Sequence, residues 1–257
     1  MSNCFDLSHR VAVVIGGTSG IGRAIALGLA EQGADVVPTG RRANHIEEVA
    51  AAVEALGRRT LRQATDIRDR ESVDALRDAI LHEFGGVDIL VNAAGFTFRQ
   101  PTIKLCDEQL SSILDTNLTG ALRACQSFYE ALKASRRGRI INIASLSSFV
   151  AFYEVAAYCA TKAALLSLTR SLGCEWAQDG ILVNAIAPGV FPTEMNNGIV
   201  TGTARGQELL ARTPMRRFGN PEELVGAAVL LASDSASFIT GQCITVDGGF
   251  LASGVNT

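Results

Sequence analysis

Val11-Ala12-Val13-Val14-Ile15 runs straight into Gly16-Gly17-Thr18-Ser19-Gly20-Ile21-Gly22 and then into Arg23-Ala24-Ile25. The first five residues are continuously apolar and rich in β-branched side chains, the pattern of a strand covered on both faces. Residues 21–32 then carry their apolar positions at helical spacing. Between the two, glycine lets the chain turn tightly and bring its backbone against a pyrophosphate with no Cβ in the way. The start of the following helix adds unpaired N–H groups and the positive end of a dipole. A glycine cluster alone marks any turn; its place between a first strand and a first helix is what points to a nucleotide. Gly16, Thr18, Ser19, Gly20, Ile21 and Gly22 are therefore candidate phosphate contacts.

The same alternation extends along the chain. Strand-like runs at Val11–Ile15, Asp35–Thr39, 59–64, 87–91, 139–143, 181–186 and Cys243–Val246 are separated by helical patterns such as 46–56, 72–84 and 221–232. This predicts a single doubly wound, Rossmann-type α/β domain over 1–257: a seven-stranded parallel sheet with helices on both faces. One segment breaks the rhythm. Residues 191–218 follow Pro188-Gly189 and hold Pro192, Gly198, Gly202, Gly206 and Pro214. A helical insertion there, at the carboxyl end of the sixth expected strand, is where a lid over a substrate would stand, the plainer alternative being a surface loop.

Composition excludes several classes. The 257 residues are 47% hydrophobic and 19% charged with a net charge of −3, and no basic block is present to track nucleic acid. No apolar run approaches the ~18 residues that span a bilayer, and Met1-Ser2-Asn3-Cys4-Phe5-Asp6 lacks the regions of a signal peptide. Cys4, Cys106, Cys125, Cys159, Cys174 and Cys243 form no Cys-x-x-Cys pair, and only His9, His45 and His82 accompany them. That spacing favours a reduced, cytoplasmic chain without disulfide or metal site.

The end of the second strand discriminates between nucleotides. An acidic residue about 20 positions after the glycine turn would bind a ribose 2′-hydroxyl. This chain reads Thr39-Gly40-Arg41-Arg42 there. A carboxylate would repel a 2′-phosphate, whereas arginine chelates it, so NADP is the expected cofactor. NAD stays possible, because an arginine can stack on adenine or merely cap a strand end in water.

Further on, Tyr158 and Lys162 stand at i and i+4 on one helix face. A free phenol has a pKa of about 10, and a neighbouring cation favours its ionised form, so Tyr158 suits proton exchange with a reacting alcohol or carbonyl. Such pairs are common surface decoration. Here the strand-like Ile140-Ile141-Asn142-Ile143 ends at Ala144-Ser145, whose hydroxyl is a candidate partner for the substrate oxygen, or else a turn former.

Taken with Asp66-Ile67, Asn92-Ala93-Ala94-Gly95, Asn117, Pro188-Gly189 and Val246-Asp247-Gly248-Gly249, these motifs resemble the short-chain dehydrogenase/reductase family from Leu7 to Gly249. The resemblance implies an NAD(P)-dependent oxidoreductase acting on a ketone or secondary alcohol. It implies that Asp66 and Ile67 flank adenine and that Asn92, Ala93, Ala94 and Gly95 line the cofactor. It implies that Asn117, Ser145, Tyr158 and Lys162 form the catalytic set, with Asn117 holding a relay water and Lys162 bonding the nicotinamide ribose. Pro188, Gly189, the Phe191 backbone and the Thr193 hydroxyl would orient the carboxamide. A homotetramer through residues 115–134, 155–178 and the C-terminal strand is also implied. Two positions depart from the pattern: Ile15 replaces a usual threonine, and Ser19 replaces a basic residue common in NADP-preferring members, so that preference rests on Arg41 and Arg42.

Two branches of the family compete for the substrate. Arg99, in Phe96-Thr97-Phe98-Arg99-Gln100-Pro101, matches an arginine of sugar-acid dehydrogenases resembling gluconate 5-dehydrogenase, and would bind a substrate carboxylate unless it is simply solvated. The 3-oxoacyl-carrier-protein reductases carry basic residues for an acidic partner; Arg136 and Arg137 suit that, but Asp179 opposes it. The expectation is a sugar acid or polyol, with the carrier-protein reaction as the alternative. A silent nucleotide sensor is disfavoured by the complete catalytic set.

Overall fold

Successive residues of the first strand face opposite ways, and all but the partly exposed Val11 are shut from water. Ala12 and Val14 of β1 (Val11–Ile15) join one apolar cluster, Val13 and Ile15 the other, and none is more than 1% exposed. The strand therefore needs cover on both sides, and the helices supply it. Ile25 and Leu29 of α1 (Gly20–Glu31), Val53 of α2 (Ala43–Ala55) and Ala228 and Leu231 of α9 (Val225–Ala232) fill one face. Leu76 and Ile80 of α3 (Arg70–Phe84), Phe128 and Leu132 of α5 (Gly120–Ser135) and Leu172 of α6 (Ala156–Glu175) fill the other. The computed structural model describes residues 4–194 and 196–255; Met1-Ser2-Asn3, Met195, Asn256 and Thr257, which the expected domain bounds include, lie outside the described residues.

Among the described residues the sheet has six strands, not seven. Its order is β2 (Asp35–Thr39), β1, β3 (Ile89–Asn92), β4 (Gly138–Ile143), β5 (Ile181–Pro188) and β6 (Cys243–Val246), all parallel. The expected strand at 59–64 lies beside β2 but does not join it, and Pro38 gives the reason. Odd-numbered residues of β2 bond towards β1, as Asp35 N–H does to Arg10 C=O. Even-numbered ones face outward, and Val36 N–H reaches Arg59 C=O at 3.1 Å. The next outward position is Pro38, which has no N–H to give. Side-chain bonds hold the segment instead, including Thr39 Oγ1 to Gln63 C=O at 2.5 Å.

The chain order reverses between β2 and β3, which places a crevice over the carboxyl ends of β1 and β3. Over β4 and β5 stand the short helices α7 (Asn197–Val200) and α8 (Ala204–Arg212), so the expected insertion at 191–218 is two helices rather than one. The break is at Gly202, with φ of 72°, and the Thr203 side chain caps α8 by accepting from Gly206 N–H. Residues 107–135 form an unbroken rod in which α4 (Asp107–Leu114) passes into α5 through a π turn, Asp115–Thr119.

Close helix packing rests on Gly28. A Cβ there would meet Val225 Cγ1 at 2.3 Å and Val225 Cβ at 3.0 Å, so rotating the valine cannot clear it. We expect Gly28→Ala to destabilise the fold by about 1–3 kcal/mol in chemical denaturation, as overpacked sites do. The same change in a Val225→Ala background should cost little; equal losses in both backgrounds would refute the steric account.

Candidate active site

The glycine turn is pressed into the sheet. Gly16 has φ of 84°, and a Cβ on it would fall 2.5 Å from Ala94 N; one on Gly22 would fall 2.1 Å from Gly16 O. These contacts account for glycine at both positions. Ser19 is the N-cap of α1 but its side chain makes no capping bond, and the first turn holds no acidic residue. The helix therefore opens with free N–H donors, a cradle suited to an anion. It faces a cleft of about 530 Å³.

Most of the residues singled out by sequence meet in that cleft. Gly16, Thr18, Ser19, Gly20, Ile21, Gly22, Arg41, Arg42, Asp66, Ile67, Ala93, Ala94, Gly95, Ser145, Tyr158, Lys162, Pro188, Gly189, Phe191 and Thr193 all line it. Three do not. Asn92 is buried, and its Nδ2 donates to Asn142 Oδ1 at 2.9 Å, because at the end of β3 it points into the sheet interior. Asn117 sits behind the wall on the π turn, 1% exposed, with Nδ2 on Phe96 C=O and Oδ1 accepting from Phe96 N–H. Arg99 lies outside the lining, its Nε 2.6 Å from the Glu154 carboxylate, so its charge is already matched.

At the nucleotide end, Asp66 is flanked by Arg68, which sequence reading passed over. Arg68 Nη2 lies 2.6 Å from Asp66 Oδ2, and these hydrogen bonds pull the Asp66 carboxyl down to about 2. Arg68 lines the cleft as well, and its only sequence signal is its position two residues after Asp66. Glu194 and Asn196 were also missed, since single polar residues in a loop carry no periodicity. Asn196 organises that loop: its Oδ1 accepts from Thr193 N–H at 2.8 Å and its Nδ2 donates to Phe191 C=O at 3.0 Å.

At the other end stand Ser145, Tyr158 and Lys162, the residues expected to handle the proton. Ser145 caps the turn after β4, its Oγ accepting from Ser147 N–H, and it hydrogen-bonds Tyr158. Lys162 is 5% exposed; its Nζ donates to Ile143 C=O at 2.7 Å and lies 5.7 Å from the centre of the Tyr158 ring. Burial pushes the lysine down to about 8. The expected lowering of Tyr158 is not found in the protein alone: burial raises the phenol, and the Ser145 hydrogen bond only partly opposes this. Thr161, fully buried, ties the set together by donating to Tyr158 C=O and accepting from Asn117 Nδ2. A protonated phenol beside a serine hydroxyl can donate two hydrogen bonds to one substrate oxygen.

The residues read as flanking an acidic carrier partner do not flank this cleft. Arg136 and Arg137 precede β4 and Asp179 precedes β5, at the amino ends of strands whose carboxyl ends form the site. Arg137 pairs with Asp88 at 2.9 Å and Asp179 with Lys133 at 2.8 Å, so the repulsion expected from Asp179 is offset locally.

Residues 16–251 match the family model described as enoyl-(acyl carrier protein) reductase. The chain is 38% identical over 251 residues to the 2-dehydro-3-deoxy-D-gluconate 5-dehydrogenase of Dickeya dadantii, spanning 97% of this chain and 98% of that one. It is 36% identical over 244 residues to the 3-oxoacyl-acyl-carrier-protein reductase of Vibrio cholerae, spanning 95% and 98%. The crystal structure of a gluconate 5-dehydrogenase from Burkholderia cenocepacia, in complex with NADP and tartrate, superposes with a TM-score of 0.93 at 35% identity, covering 98% of each chain. Likeness over the full length, joined to a cleft of this construction, establishes that the chain belongs to the short-chain dehydrogenase/reductase family and is a nicotinamide-dependent oxidoreductase.

Proposed function

We propose that the chain is an NADP(H)-preferring oxidoreductase that acts on a ketone or secondary alcohol of a sugar acid or polyol. The observation that carries the reading is one cleft holding the glycine cradle, two arginines where a carboxylate would select NAD, and the Ser145–Tyr158–Lys162 group. The bound dinucleotide supplies or accepts the hydride. Tyr158 gives its hydroxyl proton to the carbonyl oxygen in reduction and takes it back in oxidation, while Ser145 hydrogen-bonds the same oxygen. Lys162 supplies the positive charge that favours ionised Tyr158, and Asn117 braces the wall behind it at the turn proposed to hold a relay water. Support for the substrate class comes from the Dickeya and Burkholderia relatives rather than from Arg99, which Glu154 already engages. The Vibrio relative favours a second reading, reduction of a carrier-bound 3-oxoacyl thioester, and the family description likewise names an acyl-carrier-protein substrate, though of the enoyl type.

The whole chain acts in this reading as one dinucleotide-binding domain, with 191–218 covering a small substrate. We place it in the cytoplasm as a homotetramer, without a nucleic-acid or membrane partner. No described helix is long and apolar enough to cross a membrane, all six cysteines are free thiols, and the outer edge of β6 has no strand neighbour among the described residues.

Lys162 links the site to stability. Its folded value of about 8 lies below the ordinary 10.5, so between those pH values the unfolded chain binds more protons. Stability from this group therefore rises with pH across that window, and at neutral pH its burial costs on the order of 3 kcal/mol.

Turnover followed at 340 nm with NADPH or NADH against keto sugar acids, polyols and a 3-oxoacyl thioester tests the function directly. A keto sugar acid with NADPH is the expected pair, and preference for the thioester would transfer the assignment to the second reading. Tyr158→Phe should cut kcat by about 10²–10⁴-fold with cofactor Kd nearly unchanged; retained turnover would remove the acid–base role. Arg41→Ala should weaken NADPH far more than NADH, and equal losses would deny it the 2′-phosphate. Cofactor-free Lys162→Met should melt no lower than the parent at pH 7, with any advantage shrinking between pH 8 and 10. A variant much less stable at pH 7 would contradict the cost of burying the lysine.

A further inference from the structure

The two arginines after β2 are not equivalent. Arg42 Nη2 donates to Ser19 Oγ at 3.1 Å, and its Nη1 lies 3.5 Å from the Glu194 carboxylate. Ser19 belongs to the phosphate turn and Glu194 to the chain that leaves β5 for α7, and all three residues line the cleft. The Arg42 guanidinium thus spans the opening from the phosphate turn to the segment that covers the site. Arg41 lines the same cleft, is exposed, and makes no hydrogen bond or ion pair among the described residues. Arg41 is free for an incoming anion; Arg42 is spoken for.

We infer that Glu194 sets how strongly the site discriminates a 2′-phosphorylated dinucleotide from an unphosphorylated one, by competing with the 2′-phosphate for Arg42. The inference rests on the reading of Arg41 and Arg42 as 2′-phosphate ligands. A phosphate monoester carries about −1.5 to −2 at neutral pH against −1 for the carboxylate, so it draws the guanidinium from Glu194. Part of its binding energy is then spent breaking the existing pair. An unphosphorylated nucleotide makes no such demand and leaves Arg42 between Ser19 and Glu194. Glu194 is therefore a brake on affinity for the phosphorylated form alone. It also couples the 2′-phosphate to the covering segment, which loses its tie to the phosphate turn when Arg42 is withdrawn.

Isothermal titration of the full chain with adenosine 2′,5′-bisphosphate and with adenosine 5′-monophosphate isolates the 2′-phosphate. Glu194→Gln should tighten the bisphosphate by about two- to fivefold, the scale of an exposed ion pair, and move the monophosphate by less than twofold. In an Arg42→Ala background the same substitution should lose that effect. Equal tightening of both probes, or an effect that persists without Arg42, would overturn the inference while the cofactor reading stands. A parent protein that binds both probes equally would overturn the cofactor reading and the inference with it.

Discussion

The carboxyl ends of β1 and β3 meet at a point where no side chain fits: a Cβ on Gly16 would overlap the backbone of Ala93 and Ala94. That approach fixes the floor of the cleft. On one side it presents the phosphate turn and the free donors of α1. On the other it delivers Gly95 beside Asn117 and Lys162, where even a methyl group would lie 3.3 Å from Asn117 Oδ1. The glycine cradle and the residues proposed to handle the proton thus share a wall. Opening the contact by the width of a methyl would shift one relative to the other, and hydride transfer tolerates little misplacement.

A second constraint aligns α6 with the strand it serves. Asn92 donates to Asn142, and Asn142 donates to Thr169, so a chain of buried polar groups runs from β3 through β4 into the helix that carries Tyr158 and Lys162. Lys162 and Ser148 add bonds between the start of that helix and the chain around Ser145. Apolar packing alone is non-directional and would let the helix slide; hydrogen bonds hold it in register. The site is consequently stiff around Tyr158 and Lys162, and the same burial that stiffens it makes Lys162 costly to keep charged.

Most of the fold was legible because strands covered on both faces are nearly continuous apolar runs, and five of the seven proposed runs lie on strands within two residues at each end while a sixth matches β6. The seventh, 59–64, failed on a feature of its neighbour: whether an extended segment joins a sheet depends on donors in the adjacent strand, and Pro38 withholds one. The site residues were legible where a motif ties a residue type to a spacing, as at Gly16–Gly22 and Tyr158–Lys162. Orientation was not. Asn92 and Ala93 are neighbours in sequence, yet alternation along β3 turns one inward and leaves the other on the cleft. Pairings between distant segments were equally hidden, so Arg99 read as a free charge until Glu154 was seen against it, and Arg42 until Glu194 was.

The two rims of the sheet are unlike. At the β2 rim, one outward donor is used by Arg59, the next is deleted by Pro38, and the segment 59–64 lies across what remains. At the β6 rim no described strand follows and no proline interrupts Cys243–Val246. A sheet with one sealed rim and one open rim can extend by a single partner only, because the partner presents its own sealed rim to the far side. Strand-to-strand growth is self-limiting at two copies, which guards a parallel-sheet protein against open-ended stacking.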